Sequence, residues 1–251
     1  MSATDVGTRS PGPAAVSFAP EARGLAGAVT TTDHKKFGLL TLGTALVLLL
    51  ANGALALVMR AQLAQPAQSI VSPHLYSELF TLHGSGMIFL VVTPIAVGMG
   101  VYLVPLQIGA PAIATPRIVL LGYWLYVAGA VSIYSGVFVG GGAADTGWYA
   151  YTPLSDAIYS PGQGQSLWIV GTFLAAVGMI LQAWAVLWTA TRMRAPGMTL
   201  MRMPVFTWSQ VVTVLMVIAS FPSLLVAMSL MAAGRADPSM FNSNMLNIAY
   251  D

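Results

Sequence analysis

Five stretches of this 251-residue chain are each apolar over enough residues to cross the hydrocarbon core of a bilayer, which takes about 20 residues as helix. They lie at about 37–59, 79–104, 118–139, 166–190 and 205–233. Hydrocarbon offers no partner to an exposed peptide group, so all five are expected to be helices. Composition agrees: 57% of residues are hydrophobic and only 7% charged, against about a quarter charged in a soluble domain. The expected fold class is therefore an all-α integral membrane protein. With no Cys in the chain, disulfides and thiolate metal sites are excluded.

Residues 1–36 are rich in Ala, Pro, Thr and Ser and have no apolar core, so they are expected to form a disordered cytoplasmic tail rather than a secretory signal. Residues 234–251 make a short polar tail. Loop charges set the orientation of the membrane domain, 37–233. With the N-terminus inside, Arg9, Arg23, Lys35, Lys36, Arg117, Arg192, Arg194 and Arg202 fall on the cytoplasmic side, and only Arg60 and Arg235 fall outside. That bias predicts a cytoplasmic N-terminus and an outer C-terminus. It also accounts for the small net charge of +2 without any nucleic-acid partner.

The second stretch belongs to the run YSELFTLHGSGMIFLVVTPIAVGMGVYLV, Tyr76 to Val104, with His83 near its start. An ionisable side chain in hydrocarbon is expensive and marks function by default. An imidazole there can bind a metal, hydrogen-bond across helices, or face water. Gly84 and Gly86 beside it would let a flat bulky group approach the backbone. Arg60, closing the first stretch, reads as a snorkelling arginine at a helix end. The loop 140–165 holds no Lys or Arg but carries Trp148, Tyr149, Tyr151 and Tyr159, either an interfacial belt or a docking surface.

No Asp or Glu lies well inside any of the five stretches; Glu78 is at an edge, and Asn52, Gln182 and Ser220 are the main uncharged exceptions. A proton relay or a multi-ligand metal centre needs more than these residues provide.

The segments TTDHKKFGLL, MRAQLAQP, LYSELFTLHGSGMIF, YLVPLQIGAPAIATPR, GGAADTGWYAYTPLS and MRAPGMTLMRMPVFTWS run in order from about Thr31 to Ala233. Together they resemble subunit I of the haem–copper terminal oxidases, the aa3-type cytochrome c oxidase branch in particular. The resemblance covers the first five of that family's twelve helices. It implies that His83 is an axial ligand of the low-spin haem A, with the second axial ligand from another chain. It implies further that Arg60 bonds the haem's formyl group, that Tyr76 lies near the haem edge, and that Gly84 and Met87 line the cofactor. Trp148 would lie beneath the electron-donating subunit. Copper would enter only through partner chains.

The departures are specific. The acid of the family's loop GAPDMAFPR is Ala112 here, the asparagines that follow are Val119 and Leu120, and the acid of RAEL is Gln62. Two readings follow. In the first, the chain is the N-terminal part of a split oxidase subunit I, completed by a chain carrying the remaining helices and working with subunits II and III and a cytochrome c donor. In the second, it is a non-catalytic accessory relative in a respiratory complex.

Overall fold

The structure, a computed structural model, describes Gly27 and residues 30–236. The chain divides into two compact units, Met1–Thr31 and Thr32–Asp251. Of the first, only Gly27, Thr30 and Thr31 are described, so most of the tail expected over 1–36 lies outside the described residues, as do residues 237–251.

Apart from one isolated bridge between Ala143 and Gly164, all regular structure among the described residues of the second unit is helical. Helix α1 spans His34–Gln62. Helix α2, Pro73–Ser85, runs without a break through a π-helical segment, Gly86–Val92, into α3, Thr93–Gln107. Helix α4 covers Pro116–Ser135, α5 Gln163–Arg192 and α6 Val205–Ala236. Counting α2 to α3 as one, these give five spans long and apolar enough to cross a membrane.

The helices run beyond the apolar stretches because capping chemistry lies outside them. The Asp33 side chain accepts the Lys35 amide at 2.9 Å and starts α1 three residues before the apolar run. Ser72 Oγ accepts the Leu75 amide at 3.1 Å, with Pro73 in the first turn, where its missing N–H costs nothing.

The π-helical segment has a local cause. Pro94 has no N–H to offer the carbonyl one turn back. The Leu90 carbonyl accepts instead from the Tyr126 hydroxyl of α4 at 2.8 Å. Thr93 Oγ1 closes the same stretch by donating to the Ile88 carbonyl at 2.9 Å. A side chain thus supplies what the backbone cannot, as hydrocarbon requires.

Helices α4 and α5 pack antiparallel along a ladder of glycines, Gly122 on Gly178, Gly129 on Gly171 and, one residue past the end of α4, Gly136 on Gly164. Each rung steps seven residues along both helices. A Cβ on Gly129 would lie 2.5 Å from the Gly171 carbonyl oxygen, so the backbones meet directly. Lipid tails are as apolar as leucine, and close backbone approach is what drives such pairs together. Helix α5 is the most enclosed of the spans, whereas α1 and α6 present long apolar faces outward. Helix α1 packs along the second span, and α6 packs on α5 and α3.

Candidate haem-ligand site

His83 sits two residues before the end of α2, half-buried, facing α1. Its Nδ1 lies 3.0 Å from the backbone carbonyl of Asn52. A carbonyl only accepts, so Nδ1 carries a proton, and in the neutral ring Nε2 keeps its lone pair. Nε2 has no hydrogen-bond partner among the described residues. This is the arrangement of a metal-binding imidazole, in which the bond at one nitrogen fixes the tautomer and orients the other. It also realises the interhelical hydrogen bond, and leaves the opposite edge of the ring open to a further partner.

The two glycines beside it are filled by the chain itself. A Cβ on Gly84 would meet the Trp148 side chain at 3.3 Å, and one on Gly86 would collide with the Asn52 amide. Trp148 is thereby laid against the turn that carries His83. Its loop is held there by the Gly147 amide, which donates to Thr81 Oγ1 at 2.8 Å. The indole packs edge-on to Tyr149 and remains 44% exposed.

The other residues expected at the site are less tightly drawn in. Tyr76 lies on α2 one heptad before His83, on the same side of the helix, and is half-buried. Met87 is half-buried in the π-helical segment. Arg60 is exposed in the last turn of α1 and makes no hydrogen bond or ion pair with a described residue. The structure therefore brings His83, Gly84 and Trp148 into one cluster, with Arg60 hydrogen-bonded to none of them.

Several residues matter in ways the sequence did not show. Asn52 is fully buried, and its Nδ2 donates to the Leu48 carbonyl at 2.8 Å and to the Tyr134 hydroxyl of α4 at 2.7 Å. Arg235 closes α6 by donating to the Ser155, Ser160 and Gly162 carbonyls and to Ser166 Oγ, at 2.7–3.1 Å. It pins the 151–162 loop. His74 bridges two acids, with Nδ1 2.9 Å from buried Glu78 and Nε2 3.6 Å from Asp145. Among the described residues no three His, Asp or Glu side chains converge as a metal site.

The departures have structural counterparts. Gln62 Oε1 accepts the Ile70 and Val71 amides at 2.7 and 3.0 Å, while Nε2 donates to the Gln68 carbonyl at 2.6 Å. One neutral amide closes the loop after α1. Ala112 lies on a connection whose neighbours Ile113, Ala114 and Val119 are buried, so the chain's own apolar groups fill this end of the bundle.

The fold defines a polytopic helical membrane protein, with one histidine whose Nδ1 is bonded across helices. The chain belongs to the family described as cytochrome c and quinol oxidase polypeptide I, whose profile matches residues 36–250. It is 44% identical over 207 residues to a probable cytochrome c oxidase subunit 1-alpha of Streptomyces coelicolor, covering 82% of this chain and 36% of that one. A probable cytochrome c oxidase subunit 1-beta of Nocardia farcinica is 45% identical over 207 residues, 82% of this chain and 35% of its own. The cytochrome c oxidase subunit 1 of Corynebacterium efficiens is 43% identical over 199 residues, 79% and 34% respectively. This chain spans about a third of the length of these curated relatives. Oxidases of this family carry haem and copper.

Proposed function

We propose that this chain is the low-spin haem module of a cytochrome c oxidase subunit I, and that His83 Nε2 is one of the two axial ligands. The observation that carries the reading is the His83–Asn52 bond, which commits Nδ1 to the protein and leaves Nε2 available. The residues present fit the group: a neutral imidazole with a fixed tautomer, on a rigid span, beside half-buried Tyr76 and Met87. Haem A held there supplies one-electron redox chemistry. The chain's own contribution is to fix the ligand, to keep water away with the apolar faces of α1 and the second span, and to place Trp148 against the ligand's helix turn. Trp148 is exposed on its other side, which suits the entry point for electrons from a subunit II and a cytochrome c donor.

The second axial ligand and the copper ligands come from helices beyond these residues, carried in the split reading by another polypeptide, with subunit III completing the assembly. The excess of Lys and Arg at the 108–117 and 192–202 end supports a cytoplasmic N-terminus in a bacterial plasma membrane. Ala112, Val119 and Leu120 favour a complex in which this part of the bundle conducts no protons.

The test is a reduced-minus-oxidised spectrum of the purified native complex, with mass spectrometry of its chains, for wild type and His83→Ala. Loss of the low-spin haem A band in the variant, together with a chain carrying the later helices, supports the reading. An unchanged band sinks the ligand assignment. A separate complete subunit I that accounts for every haem would make this chain the accessory relative instead.

A further inference from the structure

Asn52 is an amide in the middle of a membrane span, fully buried, where every unpaired polar atom is expensive. Two other spans converge on it. Tyr134 of α4 takes one amide hydrogen at 2.7 Å. Gly86 of the second span leaves the space the amide occupies, since any Cβ there would overlap it. His83, three residues before Gly86 and so on nearly the same face, binds the Asn52 backbone carbonyl at 3.0 Å. Tyr134 makes no hydrogen bond to His83 itself. It holds the amide that sets how α1 sits against the helix turn carrying the histidine.

We propose that Tyr134 and the Asn52 side chain are positioning residues for the His83 ring, fixing the carbonyl against which Nδ1–H is bonded and thereby tuning the electron donation of Nε2. The inference rests on the reading of His83 as a haem ligand. An imidazole that donates firmly from one nitrogen is a stronger base at the other. A stronger axial donor favours the ferric state and lowers the potential. Loosening the amide weakens the Nδ1 bond and moves the potential the other way. Asn52 reaches His83 through its backbone, so a side-chain substitution there leaves the acceptor in place and removes only the hold on it.

The experiment is a redox titration of the low-spin haem band in purified complexes carrying Tyr134→Phe, Asn52→Ala and both. Haem content is expected to stay at the wild-type level. Both single variants are expected to show a raised midpoint, with more haem reduced at a fixed intermediate poise. The double variant should shift no further than the larger single, because the two act as one unit. Wild-type potentials in both singles with haem retained, or additive shifts in the double, would overturn the proposal. If Asn52→Ala fails to assemble, Tyr134→Phe decides alone, since it removes one oxygen and no packing volume. His83→Ala in parallel separates the two ideas. A lost band with unmoved Tyr134→Phe potentials defeats the positioning alone, and a retained band defeats the ligand reading and this inference with it.

Discussion

Trp148 packs its indole onto Gly84, with 3.3 Å between the ring and the place a Cβ would take. The residue next to the candidate ligand is thus a glycine because a loop tryptophan from 64 positions further on lies against it. The loop and the His83 turn are one unit, joined a second time by the Gly147–Thr81 bond.

Gly84→Val is therefore expected to push Trp148 off α2 while leaving His83 in place. The cost is that of overpacking, about 1–3 kcal/mol. Trp148 fluorescence should shift red as the indole gains water, and electron input from the donor should slow several-fold. Unchanged fluorescence would show that the indole does not depend on this contact.

The glycine ladder between α4 and α5 leaves no room for a side chain. Gly129→Leu would drive a branched side chain into the Gly171 carbonyl and the Ala175 backbone. The expected loss exceeds the roughly 1–3 kcal/mol of ordinary overpacking, because backbone rather than side chain must move. The melting temperature of the purified complex checks this. A leucine at Gly43, which faces open space on α1, should be nearly silent by the same measurement.

Gln62 offers a chemical rather than a steric test. Gln62→Glu keeps an acceptor for the Ile70 and Val71 amides but loses the donor to the Gln68 carbonyl, setting a carboxylate oxygen against a carbonyl oxygen. Destabilisation on the order of 1 kcal/mol is expected. Limited proteolysis within 63–72 should quicken, with the spans untouched. No change in cleavage would mean the amide does not organise this loop.

What the residues disclosed in advance follows from what each kind of feature depends on. The five spans were legible because a bilayer imposes length and apolarity locally, and six collinear motifs exposed the family. The helix starts at His34 and Pro73 lay in polar residues that hydropathy discards, although the caps at Asp33 and Ser72 were there to find. The π-helical segment hinges on a pairing between Leu90, one turn before Pro94, and Tyr126, which is far away in sequence. Asn52 was visible only as an exception in an apolar run, since its partner atom for His83 is a backbone carbonyl and any residue would supply one. Gly84 and Gly86 were expected to open a face beside His83, but spacing could not show that Trp148 and Asn52 fill it. Arg235 read as loop charge because its four acceptors are three backbone carbonyls and a serine oxygen.

Arg60 and Arg235 end the first and last spans, and their surroundings differ completely. Arg235 directs each of its three guanidinium nitrogens at the 155–166 region. Arg60 is exposed and bonds to none of the described residues. It stands eight residues beyond Asn52 on the same helix, about 12 Å along the axis at 1.5 Å per residue. A guanidinium with its donors free at that remove from the ligand's anchor suits an acceptor on the periphery of a bound macrocycle. Arg60→Leu should accordingly cost little stability, within about 0.5 kcal/mol for an exposed side chain. It should nonetheless displace the low-spin haem band without abolishing it, because a haem held by His83 as proposed would keep that bond. A difference spectrum of the variant complex decides the matter: a displaced band identifies Arg60 as a haem partner, and an unmoved one leaves it as an arginine reaching for the membrane surface.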